Sequence, residues 1–189
     1  MSEKLSAEEK LTLLQLARQA LESGVRGKSL AAPDPSHLTP LLRAEGAAFV
    51  TLTVRGQLRG CIGSLQPYQP LADDVCEHAI AAALQDYRFP PVRPDELPRI
   101  RIEVSRLTLP QPLPYTDAED LLAKLRPGID GVILRDGSRR ATFLPQVWEQ
   151  IPDKAEFLGH LCAKMGAASD LWRNKHLDVQ IYQVEEFHE

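Results

Sequence analysis

The sequence predicts an α+β fold with a mixed or antiparallel sheet flanked by helices. Two strand pairs are each joined by a short glycine-containing loop, at Arg55-Gly56-Gln57 and at Asp136-Gly137. Strongly helical segments are present, but they do not alternate with strands in the regular rhythm of a doubly wound parallel sheet. The chain of 189 residues, 43% of them hydrophobic, is long enough to bury one core or two small lobes.

The elements follow in order. Leu5, Leu11, Leu14, Ala17 and Leu21 fall at helical spacing after Ser6, with Glu9 completing a capping box and Gly24 as the stop. Residues 25–46 mix Gly, Pro, Ser and charge and are expected to be mostly loop. From Ala47 an apolar, β-branched run turns at Arg55-Gly56-Gln57 and resumes as Leu58-Arg59-Gly60-Cys61-Ile62, the first hairpin. Residues 71–84 form an alanine-rich helix with Asp73 and Asp74 in its first turns, where the helix dipole favours them. Arg101 to Leu107 alternate as a strand, with Glu103 and Ser105 on one face. Pro110, Pro112 and Pro114 mark residues 108–116 as the join between two lobes. A short helix from Ala118 to Leu125 is expected with Thr116 as cap, Glu119 at the box position and Gly128 as its close. The second hairpin turns at Asp136-Gly137, a helical turn holds Val147 and Trp148, and Asp153 caps a helix from Lys154 to Met165. A last strand is expected from His176 or Leu177 to Val184.

Several function classes are disfavoured. A formal net charge of -4 does not suit a broad phosphate-binding surface, so nucleic-acid binding is not expected. No apolar run approaches the about 20 residues that cross a bilayer, and Met1-Ser2-Glu3-Lys4 opens no hydrophobic signal core, so a cytoplasmic protein without membrane partners is expected. Cys61, Cys76 and Cys162 are far apart, with no CxxC pair. His78 and His160 have no persuasive ligand neighbour at i±3 or i±4, so no metal or cofactor is expected. Cys162 reads as core, and Arg135, Arg139 and Arg140 as a solvated turn.

The octapeptide Leu58-Arg59-Gly60-Cys61-Ile62-Gly63-Ser64-Leu65 combines a thiol, a cation and glycine-flanked backbone. Strand alternation sets Arg59 and Cys61 on one face, roughly 6.5 to 7 Å apart, and Leu58, Gly60 and Ile62 on the other. A guanidinium and exposed N–H groups from Gly60 to Ser64 would lower the thiol pKa. With equal standing, Cys61 is a small buried residue and Gly60 and Gly63 serve a bulge or tight turn. Asp86 and Arg88 read either as an ion pair that orients a ligand or as a helix-end bridge. Glu103 is a candidate acid or base if it lies in a cleft of low dielectric, with Ser105 beside it.

These segments together resemble the AMMECR family, in which prokaryotic members are called AmmeMemoRadiSam system protein A. The resemblance is carried by Leu58-Arg-Gly-Cys-Ile-Gly63, Asp86-Tyr-Arg-Phe-Pro-Pro91, Glu103-Val-Ser105, Phe143-Leu-Pro-Gln-Val-Trp148 and Phe157-Leu-Gly-His-Leu-Cys-Ala-Lys164, in the expected order. It implies one domain over residues 5–187 built of two subdomains, the Arg-Gly-Cys motif near a cleft, and an association with a Memo-like protein and a radical S-adenosylmethionine protein. It does not define a reaction. Two roles therefore stay open. In one, the chain is an enzyme or enzyme subunit with Cys61, Arg59 and Glu103 catalytic and Gly60, Gly63, Ser64, Asp86, Arg88 and Ser105 binding an unknown small molecule. In the other, it is a noncatalytic binding or adaptor module of the same pathway.

Overall fold

A computed structural model describes residues 4–29 and 31–189, so the reading of Met1-Ser2-Glu3, and Leu30 of the expected loop, lie outside the described residues. The chain divides into two compact units. The first reaches to Thr108 and takes back Glu185–Glu189, and the second is Leu109–Val184.

In the first unit, helix α1 (Ala7–Val25) opens on the capping box: the Ser6 hydroxyl accepts from the Glu9 N–H at 3.2 Å, and the Ser6 N–H donates to Glu9 Oε2 at 2.7 Å. Its buried stripe is Leu13, Leu14, Ala17, Ala20 and Leu21, whereas Leu11, placed on that stripe by spacing, is exposed. Gly24 does not stop the helix. It lies inside, where a Cβ would stand 3.0 Å from Ile80, and the chain reverses at Gly27, whose φ of 65° suits the residue without a side chain. The segment expected to be loop holds a short helix α2 (Pro40–Arg43), capped by Thr39, whose hydroxyl also donates to Glu9 Oε1 at 2.5 Å.

Strands β1 (Glu45–Val54) and β2 (Gln57–Gly63) join through a two-residue turn in which Arg55 and Gly56 have φ of 54° and 77°, both left-handed as a type I′ turn requires. After the two-residue strand β3 (Gln69–Pro70) comes helix α3 (Leu71–Leu84), the predicted span, packed on β1, β2 and α1. Strand β4 (Ile100–Leu107) lies antiparallel to β1 on the side away from β2. Its Ile102 and Val104, with Val50, Leu52, Val75 and Ala79, fill the first core.

The second unit has a two-residue strand β5 (Gln111–Pro112), helix α4 (Ala118–Lys124), the hairpin β6 (Gly131–Asp136) and β7 (Arg139–Phe143), helix α5 (Lys154–Lys164), a short helix α6 (Leu171–Asn174) and strand β8 (Asp178–Tyr182). Its sheet runs β5-β8-β6-β7, antiparallel at each pairing. The cap of α4 is Asp117 rather than Thr116: its carboxylate accepts from the Asp120 N–H at 2.9 Å, while the Thr116 N–H donates to the Asp120 carboxylate. Trp148 stacks on Phe157 at 3.5 Å between centroids and gives its indole N–H to the Asp130 carbonyl, so the aromatic residues of 143–157 build this core.

The expected last strand is found as β8, and a further strand follows it. β8 ends at Tyr182, and β9 (Val184–His188) lies beside β4 in the first unit's sheet, whose order is β2-β1-β4-β9. Val179 belongs to the second core and Phe187 to the first, so the strand breaks where the chain changes cores. The architecture is α+β with two sheets flanked by helices.

Gly60 fixes the distance between β2 and α3. A Cβ there would stand 2.0 Å from the Ala82 carbonyl oxygen, a backbone atom that cannot yield without moving the helix. Gly60→Ala is therefore expected to lose about 3 kcal/mol or more, and Gly56→Ala, which meets open space but keeps a φ of 77°, about 1–2 kcal/mol. Urea midpoints compare the two, and equal losses would contradict the close approach.

Candidate functional site

β2 is an outer strand of its sheet, and an outer strand leaves backbone N–H and C=O groups unpaired. At Cys61 these groups are met by side chains. The Cys61 N–H donates to Asp86 Oδ2 at 2.9 Å, and Arg88 Nη2 donates to the Cys61 carbonyl at 3.3 Å. Arg88 also grips Asp86 by two contacts, Nε to Oδ1 at 2.9 Å and Nη2 to Oδ2 at 2.7 Å. Asp86 is buried, and Arg88 first, then the Cys61 and Arg88 N–H groups, hold its carboxyl well below the usual carboxylate range. The pair predicted to orient a ligand holds the backbone of the cysteine.

Arg59 behaves differently from its expectation. Leu52 pairs with Gly60 and Thr53 with Leu58, so Arg59 is the extra residue of a β-bulge. Its guanidinium engages Glu96, Nε to Oε2 at 2.9 Å and Nη2 to Oε1 at 3.1 Å, and this pair above all holds the Glu96 carboxyl down to about 2. The Arg88 guanidinium reaches the Cys61 carbonyl, and the Cys61 Sγ accepts from the Thr51 hydroxyl at 3.2 Å. The bulge also decides which face the thiol takes. An unbroken two-residue hairpin would set residue 61 opposite Val50, on the face buried against α3; with the extra residue, Cys61 pairs with Thr51 on the other face. Leu58, assigned by alternation to the face of Gly60, pairs with Thr53 and is 43% exposed.

The glycines leave no hollow. The room at Gly60 is taken by α3, and a Cβ at Gly63 would stand 2.4 Å from the Phe49 ring. The Ser64 hydroxyl donates to both oxygens of Asp74, at 3.0 and 3.2 Å. Asp74 is fully buried and also accepts from the Ala48 N–H at 2.8 Å, so it anchors α3 to β1 besides standing in the helix's first turn. Ser105 is buried opposite Phe49.

Glu103 pairs with Thr51 across β4 and β1, and Thr51 with Cys61 across β1 and β2. Directly paired residues share a face, so Cys61, Thr51 and Glu103 form a row over three strands. All three are half-buried. Burial first, and Glu186 next, raise the Glu103 pKa, against a smaller opposing effect of His188. Thr51 and Glu96 were not identified from sequence. The polar residues at 51 and 53 in an otherwise apolar strand marked the face, but pairing Thr51 with Cys61 required the bulge. Nothing local to Glu96 pointed 37 residues back to Arg59.

The fold and this row define a class: a two-unit α+β protein that presents a half-buried cysteine, backbone-clamped on an outer strand, level with a carboxyl of raised pKa. The chain belongs to the AMMECR1 family, whose model matches residues 14–187. It is 43% identical over 187 residues to a protein of Methanothermobacter thermautotrophicus, covering 98% of this chain and 96% of the relative. A Thermofilum pendens protein is 40% identical, with 97% and 91% covered. The crystal structure of an uncharacterised protein from Pyrococcus horikoshii superposes with a TM-score of 0.83 at 34% identity, covering 99% of this chain and 94% of that one.

Removing the clamp has a pH signature. Asp86→Ala leaves the Cys61 N–H unpaired beside the strand edge and is expected to lose about 3 kcal/mol at pH 7. Because the folded pKa of Asp86 lies below its ordinary 3.8, the wild type holds this contribution above that value and loses it as pH falls through the folded pKa. Urea unfolding at pH 7 and pH 3 should show the gap between the proteins narrowing in acid; a constant gap would mean that the carboxylate charge is not what holds the strand.

Proposed function

We propose that the chain is an enzyme or enzyme subunit whose working groups are the Cys61 thiol and the Glu103 carboxyl. The observation that carries this reading is the Cys61–Thr51–Glu103 row on one sheet face. Two strand steps separate the backbones of Cys61 and Glu103 by about 10 Å, with Thr51 between them, so a substrate would lie over the row and meet both groups from above the sheet face. A thiol becomes a nucleophile on losing its proton, and a carboxyl whose pKa is raised holds a proton more readily than an ordinary glutamate and can return it. Thr51 positions the sulfur. Arg59 and Glu96, Asp86 and Arg88 hold the strand that presents the thiol, in place of the direct catalytic and binding roles expected of Arg59, Asp86 and Arg88.

The chain's resemblance supplies the setting: a Memo-like protein and a radical S-adenosylmethionine protein as partners, in the cytoplasm. Among the described residues no helix is long and apolar enough to cross a membrane. A second reading, a noncatalytic adaptor, draws on one observation: the polar side chains of Arg59, Ser64, Asp86 and Arg88 are already engaged within the chain. Metabolite profiles of Cys61→Ser and Glu103→Gln strains separate the two, since an enzyme predicts the same accumulated compound in both and an adaptor predicts no change.

Thiol reactivity gives a direct measurement. Burial pushes the Cys76 thiol up to about 12 and raises Cys162, and both are buried, whereas Cys61 is half-buried. Alkylation of the native protein with iodoacetamide between pH 6 and 9, mapped by mass spectrometry, should label Cys61 first and leave the other two until unfolding. A Cys61 that reacts no faster than Cys76 removes the thiol from the reading. For Glu103, a folded pKa above its ordinary 4.5 means that the folded state binds more protons there, so the wild type loses stability as pH rises between the two values. Glu103→Gln removes that loss. Its melting temperature should match the wild type well below pH 4.5, gain on it as pH rises through the folded pKa, and keep a constant lead above that.

A further inference from the structure

At the turn end of the first hairpin, Val54, Arg55, Gln57, Leu58, Arg59 and Arg99 line an open pocket of about 400 Å³. Half of the lining side chains are guanidiniums, in a chain whose formal net charge is -4. Two features separate these cations from the needs of the fold. Arg55 is the one non-glycine residue with positive φ among the described residues, at the turn position that asparagine or glycine fills with least strain. Among the described residues it makes no hydrogen bond or ion pair. Arg59 uses Nε and Nη2 on Glu96, but its Nη1 is buried without a hydrogen-bond partner, an expensive state for a charged donor. Arg99 reaches only Asp95, at 3.9 Å, with both side chains more than half exposed, a weak pair.

We propose that this pocket binds the phosphate group of a small phosphorylated metabolite, with Arg55, Arg59 and Arg99 as donors. A phosphate monoester brings a charge of about -1.5 to -2 and three acceptor oxygens, enough to engage each of the three guanidiniums that line the pocket. A single carboxylate would satisfy one arginine fork and leave the others unpaired. Arg59 precedes Cys61 by two residues on β2, and Cys61 is not among the residues that line the pocket. The pocket is independent of whether that thiol reacts.

Calorimetric titration of the full chain with inorganic phosphate, and separately with acetate, at constant ionic strength tests this. The turn at residue 55 allows a substitution that removes charge without disturbing the hairpin: Arg55→Asn suits the left-handed backbone and should keep or raise the melting temperature. Saturable phosphate binding is expected, weakened about tenfold by Arg55→Asn and by Arg99→Gln, unchanged by Arg43→Gln in α2 away from the pocket, and stronger than acetate binding. Absence of saturable binding, equal affinity across the variants, equal weakening by Arg43→Gln, or acetate bound as tightly as phosphate would each overturn the proposal. None of these results depends on the alkylation of Cys61, so the pocket and the thiol fail or stand separately.

Discussion

The hold of Asp86 and Arg88 on the backbone of Cys61 is the constraint on which the rest of the site depends. β2 ends its sheet, so residue 61 has no neighbouring strand to accept its N–H or donate to its C=O. One carboxylate and one guanidinium, locked to each other, do both. They reach the strand because α3 ends at Leu84, just before them, and α3 is seated on β2 through the contact that Gly60 permits. The turn continues this geometry, with the Phe89 N–H donating to the Asp86 carbonyl at 3.0 Å before Pro90 and Pro91 carry the chain on extended. Helix position, loop position and the orientation of the cysteine are thus one coupled arrangement.

Carboxylates at this end of the molecule divide by their neighbours. Asp86 and Glu96 are each gripped by an arginine and are driven toward the permanently charged state. Glu103, half-buried beside Glu186, is driven the other way. The same functional group is therefore held as an anion where an arginine grips it and pushed toward its neutral form where burial comes first and a second carboxylate adds to it. This is the physical reason for assigning structural work to the first two and chemistry to Glu103.

Features governed by local rules were legible in the sequence. The capping box at Ser6 and Glu9, the span of α3, the Asp136-Gly137 hairpin and the Asp153 cap of α5 each depend on residues within a few positions of one another. What remained hidden depends on distant partners. Gly24 reads as a helix stop because glycine disfavours helix, yet here it accommodates Ile80. The strand break near Tyr182 follows from Val179 and Phe187 belonging to different cores, which no alternation pattern declares. The bulge at Arg59 breaks the strict alternation on which the shared face of Arg59 and Cys61 was read, and the partner of Arg59, Glu96, lies far along the chain.

Each position of the Arg-Gly-Cys-Ile-Gly segment answers to a different neighbour. Arg59 engages Glu96, Gly60 admits α3, the backbone of residue 61 meets Asp86 and Arg88, Ile62 packs on the first core, and Gly63 clears Phe49. A segment so constrained would be restrictive in sequence even in a protein with no chemistry to perform, and restriction alone is no argument for catalysis. The side chain of residue 61 is the exception. The fold uses its backbone, while its sulfur does no more than accept one hydroxyl from Thr51, a bond that a serine at the same position would reproduce. The sulfur stands on the half-buried face, in the row with a carboxyl of raised pKa, and structure alone gives no reason for it to be sulfur. That surplus of chemistry over structural need is what points to Cys61, rather than to the arginine or the glycines around it, as the working atom of the segment.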